Sequence, residues 1–160
     1  MPVIENPFAV LTAVVAPAIL TNACSVLSLG TANRMARVVD RTRALNASLK
    51  TMDRNDTERA SHIEQLERLE FRAQLLIRSL RLFYFALGAF ASSALVAILG
   101  SVLIAWDLPA GFHAAAALGF LIGIGAVGAL ATGCALMVRE TKAAVEDMSR
   151  TSSLQRQMEG

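Results

Sequence analysis

The side chains best suited to metal or nucleophilic chemistry are two histidines and two cysteines, and their positions do not assemble a site. His62 and His113 fall on opposite sides of the membrane in the topology derived below. Cys24 and Cys134 lie inside hydrophobic stretches without metal-ligand spacing, where small core packing is the expected role. The sequence holds no paired carboxylates, glycine-rich phosphate loop or nucleophile elbow. We therefore expect a protein that is not an enzyme, with no catalytic residue, cofactor or metal.

Two polar groups stand out instead. Thr21, Ser25 and Ser28 recur at four and three residues, on one face of a helix, with Asn22 beside them and Pro17 just before. Hydroxyls can bond back to their own helix, whereas the Asn22 amide has more polar capacity than the local backbone satisfies in lipid. It should face another helix or a hydrated path. Pro17 should bend or loosen the helix by removing one backbone bond and crowding the carbonyl of Ala13. The second group is Asn33, Arg34, Arg37, Asp40, Arg41 and Arg43, in which Arg34, Arg37 and Arg41 share a face and Asp40 is three residues from Arg37 and Arg43. Its arginines can meet anionic headgroups. Alternatively, Asn33 and Asp40 organise the base of a cytoplasmic hairpin against Arg72, Arg78 or the tail helix, with forked arginine donors linking to Asp40 or to an acid across the hairpin.

The elements that carry these residues follow from where charge is missing. Hydrophobic residues make up 54% of the 160 and charged residues 18%, and the stretches 8–29, 82–106 and 112–138 contain no Lys, Arg, Asp or Glu. Crossing the hydrocarbon takes about 20 apolar residues, and these stretches have no polar face to turn toward water. They predict transmembrane helices over 8–30, 82–106 and 112–138. Residues 1–33 hold no base, unlike a secretory signal, so the first span is expected to remain in the mature protein.

All 15 bases lie in two places, eleven from Arg34 to Arg81 and four from Arg139 to Arg156. Basic flanks stay in the cytoplasm, which predicts an inner-membrane multi-pass protein with its N-terminus outside and C-terminus cytoplasmic. Acids interleave with the arginines and no aromatic platform accompanies them, which argues against nucleic acid.

Between the first two spans, Met35, Val38, Thr42, Leu45, Leu49 and Met52 form one heptad seam. Leu66, Leu69, Ala73, Leu76, Leu80 and Phe83 form another, and Asn55 with Glu58 can make a capping box between them. The segment 31–81 is therefore predicted as a coiled-coil-like antiparallel hairpin, built from cytoplasmic extensions of the first two membrane helices, with 139–160 as a cytoplasmic tail. Small residues line the later spans, as in the series Ala115, Gly119, Gly123 and the series Gly125, Ala129, Gly133, and should let helices approach closely within the subunit. The predicted fold is all-α: an integral membrane protein with three transmembrane helices and a cytoplasmic antiparallel helical hairpin between the first and second.

Asn33-Arg34, Arg37 and Asp40-Arg41-Thr42-Arg43-Ala44-Leu45, following a hydrophobic helix, resemble the pattern of a bacterial family of three-span membrane proteins, the domain of unknown function DUF2721. The resemblance extends to the charged approach Glu67–Arg81 and the order of the spans, over about residues 8–140. It implies location and fold, and no reaction. The expected function is a membrane scaffold or accessory subunit that presents the hairpin, touches anionic lipid headgroups, and associates with its own copies or another membrane protein. The alternative is a homo-oligomeric small channel or transport component whose pathway is lined by the first transmembrane helix.

Overall fold

The structure is a computed structural model that describes residues 7–53, 57–106 and 109–158. Its described secondary structure is three α-helices: α1 (Pro7–Thr51), α2 (Thr57–Ala105) and α3 (Pro109–Met158). With 45, 49 and 50 residues, they extend about 68–75 Å at 1.5 Å per residue. Each is long and apolar enough to cross a membrane. The chain is a multi-pass membrane protein.

The lengths also correct the predicted fold. No separate cytoplasmic hairpin is present beside the three helices; residues 31–51 and 57–81 are parts of α1 and α2 themselves. Polarity changes from one residue class to another near Gly30 and Arg81, but the helical backbone continues because neither position stops it. A single interior glycine such as Gly30 costs only about 1 kcal/mol, less than the bonded turns on either side contribute together. Pro17 does not end α1 either, and the Thr21 hydroxyl donates to the Pro17 carbonyl at 2.8 Å. The expected capping box of Asn55 with Glu58 rests on side chains outside those described. At the end of α1, the Met52 amide and the Thr51 hydroxyl donate to the Ser48 carbonyl at 3.2 and 2.8 Å, and Arg59 Nη1 donates to the Leu49 carbonyl at 3.2 Å. Carbonyls that the helix leaves unpaired are satisfied this way.

The chain divides into two compact units, each drawing on all three helices. Unit 1 is Met1–Leu29 with Arg81–Thr132, and unit 2 is Gly30–Leu80 with Gly133–Gly160.

Unit 1 is inverted relative to a water-soluble bundle. Its buried centre is small and apolar, with Cys24, Ala86, Phe90 and Ala126 enclosed by Leu20, Leu87 and Leu130. Large side chains such as Ile19, Leu95, Leu99, Phe120 and Leu121 are exposed. An outward apolar belt of this extent is stable against lipid and would aggregate in water. Small residues set the helix spacing: an added Cβ on Gly100 would stand 3.4 Å from the Ala115 Cβ, and one on Gly119 would stand 3.5 Å from Val96 Cγ1. Ser93 Oγ donates across to the Gly119 carbonyl at 3.2 Å. The series Ala115, Gly119, Gly123 thus faces α2, whereas a Cβ on Gly125 would meet nothing within 4 Å.

Unit 2 keeps an apolar seam with charge around it. Val38, Leu69 and Leu76 are buried, with Met35, Leu45, Ala73 and Met137 against them. Both predicted heptad seams contribute, but Met137 comes from α3. The packing is therefore three-stranded where a two-stranded hairpin was predicted.

Candidate functional site

Among the described residues, unit 2 buries one carboxylate, and it comes from α3. Glu140 is 2% exposed and receives arginines from both other helices. Arg72 of α2 donates to Glu140 Oε1 through Nε at 3.1 Å and Nη2 at 2.9 Å. Arg34 of α1 donates to Glu140 Oε2 at 3.3 Å, and the same Nη1 donates to Thr141 Oγ1 at 3.0 Å. A carboxylate taken out of water pays a large desolvation penalty unless charged donors occupy its oxygens. Here both oxygens are occupied. The arginines remain reachable by water, with 43% of the Arg34 and 22% of the Arg72 side chain exposed, so the guanidinium groups lose less solvation than the acid.

Helix geometry explains the partners. Arg68 and Arg72 are one turn apart on α2, and α3 runs antiparallel, so stepping back along α2 matches stepping forward along α3. Arg68 accordingly donates to Asp147 at 2.8 Å, seven residues beyond Glu140. It also pairs with Glu64 on its own helix. Hydrogen bonds to Asp147 first and Glu64 second hold the Arg68 guanidinium further above its ordinary pKa. A base with a raised folded pKa contributes stability at all pH values below its unfolded pKa, and that stability is lost only as pH rises through the folded one. For an arginine this lies beyond any working pH, so the shift adds no physiological pH dependence.

The residues expected from sequence are distributed more widely than the site. Of the charged group, Arg34 joins Glu140, whereas Asn33, Arg37, Asp40, Arg41 and Arg43 are exposed. Within α1, Ser25 donates to the Thr21 carbonyl at 3.1 Å, and Asn22 is exposed. Ser28 is buried, and its Oγ has no hydrogen-bond partner among the described residues. Neither Cys24 nor Cys134 is in a disulfide, and the described residues contain no group of three or more His, Cys, Asp or Glu placed to hold a metal.

Glu140 and Asp147 are the residues that sequence reasoning missed. The available signal was their seven-residue spacing on the face that carries Met137 and Ala144, a charged pair on an otherwise weakly apolar line. Both also lie in a stretch whose sequence reads as a simple tail.

The family model described as "Protein of unknown function (DUF2721)" matches residues 14–150. The chain belongs to this family. The match starts inside the stretch that carries the sequence resemblance and ends beyond it, and takes in Arg34, Arg72, Glu140 and Asp147 of the DUF2721 chain. No curated protein and no solved structure matches it.

Proposed function

We propose that this DUF2721 protein is a non-enzymatic membrane scaffold or accessory subunit, with its N-terminus outside, its C-terminus cytoplasmic, and unit 2 as the surface that meets a partner. The observation that carries this reading is the Glu140 brace. A carboxylate bonded to arginines of two other helices fixes three helix segments in one arrangement, and Val38, Leu69 and Leu76 of the apolar seam are buried between them. What remains outward carries charge together with exposed Phe71, Val138 and Val145, held on braced helices, and a preorganised surface can bind without first being ordered. The orientation follows from the distribution of the 15 bases. The partner on this reading is a second copy of the chain or another membrane protein, together with anionic lipid headgroups. Thr21 and Ser25 spend their hydroxyls on their own helix, which favours packing over a hydrated pathway along that face.

Two measurements on intact cells test it together. In a background lacking Cys24 and Cys134, Ala110→Cys should react with an impermeant thiol reagent and Thr51→Cys should react only after the membrane is opened. Photocrosslinkers placed singly at exposed Arg43, Glu67 and Glu70 should give a discrete adduct, either twice the 17.0 kDa of the chain or a defined heteromeric mass. Reversed labelling overturns the topology, and monomer alone from every position overturns the scaffold.

A further inference from the structure

Two cavities of about 360 Å³ each are lined by described residues of unit 2, and their charge differs in sign. One is lined by Arg68 and Arg72 against Glu67, Glu146 and Asp147, a net −1. The other is lined by Arg34, Arg37, Arg41 and Arg72 against Glu140 alone, a net +3. Its volume falls in the range of about 300–1,000 Å³ typical of small-ligand pockets.

The basic cavity combines held and unspent donors. Arg34, Arg37 and Arg41 occupy positions i, i+3 and i+7 of α1, which a helix places along one face. Glu140 fixes Arg34 and Arg72 but uses only Nη1 of the first and Nε and Nη2 of the second. Arg34 Nε and Nη2 and Arg72 Nη1 make no bond to a described residue. Arg37 and Arg41 are in no ion pair with a described acid. The remaining wall, with Val38, Leu69, Ala144 and Val145, is apolar. Glu140 thus positions two guanidinium groups while neutralising one charge of four. The carboxylate orients the site and leaves it strongly positive.

We propose that this cavity is a specific binding site for a phosphate-bearing anion, with the phosphodiester of an anionic glycerophospholipid as its source. Guanidinium groups match phosphate oxygens in pairs, and several converging arginines are the usual means of holding one. The apolar wall favours the lipid over a free ion, because a headgroup arrives attached to carbon that this wall can cover. Arg34 is the first base of α1 and Glu140 lies two residues beyond the predicted third span, so the proposed topology puts the cavity at headgroup depth. The lipid assignment rests on that topology; the cavity and its charge do not.

The test uses the full-length protein in a neutral detergent, titrated calorimetrically with short-chain phosphatidylglycerol, short-chain phosphatidylcholine and inorganic phosphate. Phosphatidylglycerol should bind saturably at one per chain, and at least tenfold more tightly than phosphatidylcholine. The double substitution Arg37→Gln with Arg41→Gln should weaken it at least tenfold, while leaving the thermal unfolding midpoint unchanged because both side chains are exposed. Arg43→Gln with Arg78→Gln removes the same charge outside the cavity and should change affinity less than twofold. Inorganic phosphate that binds at one per chain and depends on Arg37 and Arg41 would support the site with a soluble source. Equal weakening by the two double substitutions would overturn the site and leave only general surface attraction, a result that spares the scaffold and its topology. No saturable binding by any of the three probes would also overturn it.

Discussion

The same three helices build unit 1 and unit 2, yet the two are held by opposite chemistry. Unit 1 brings small residues together and turns large apolar ones outward, so its stability comes from close contact where there is no hydrophobic gain to be had between helices. Unit 2 mixes charge with exposed apolar side chains such as Phe71 and Val138, buries an apolar seam, and adds a buried acid shared between two arginines. The difference teaches that helix continuity and packing chemistry are set separately. Backbone bonding carries α1, α2 and α3 through the change of environment, while side chains decide how each stretch is held.

If that contrast is right, the largest single-residue effect belongs to unit 2. Arg72→Leu leaves Glu140 buried with only the longer Arg34 contact, and should cost about 2–3 kcal/mol, at or below the lower end of the range of about 3–5 kcal/mol for breaking a buried pair, because the arginines are partly hydrated. Arg34→Leu should cost less, since the two shorter bonds from Arg72 remain. Denaturant unfolding in mild detergent would rank the pair, and the reverse order would show that Arg34 is the principal partner.

An intermediate effect is expected in unit 1. Gly119→Ala places its Cβ in ordinary contact with Val96 and should be nearly neutral, whereas Gly119→Leu must push the helices apart and should cost about 1–2 kcal/mol. Equal tolerance of both in thermal unfolding would mean that close approach does not hold this unit. The smallest effect should come from Ser93→Ala, which loses the bond to the Gly119 carbonyl and should cost about 0.6 kcal/mol by the same measurement. A loss above that of Gly119→Leu would make polar contact, and not small-residue packing, the main term in unit 1.

How much of this was legible in the sequence follows the same division. The three spans are written in runs without charge, and the buried residues Val38, Leu69 and Leu76 all fall on the predicted seams, because a heptad repeat is a local signal. The family pattern likewise lies in consecutive residues near Asn33 to Leu45. The brace was not legible, because its bonds join residues 68 and 106 positions apart. Sequence spacing drew attention to Asp40, three residues from two arginines, while the carboxylate that Arg34 reaches is on another helix. The hairpin was predicted from two heptad seams with a turn between them, and such seams read the same whether two helices meet or a third joins them. With 139–160 read as a tail that meets Asn33 and Asp40 in one reading only, the third strand of the seam and the acid that α3 delivers to Arg34 and Arg72 went unnamed.

The central claim is that Glu140 ties α1 and α2 to α3 through an interaction of its own, beyond the packing around it. A double-mutant cycle on Arg72 and Glu140 tests this most directly, using Arg72→Leu, Glu140→Leu and the two combined, with unfolding free energies measured in the same detergent. The account predicts that the combined variant is more stable than the sum of the single losses by about 2 kcal/mol, because removing the acid relieves the penalty that the lone arginine change creates. Additivity within about 0.5 kcal/mol would contradict it, and would leave the apolar seam as what holds unit 2 together.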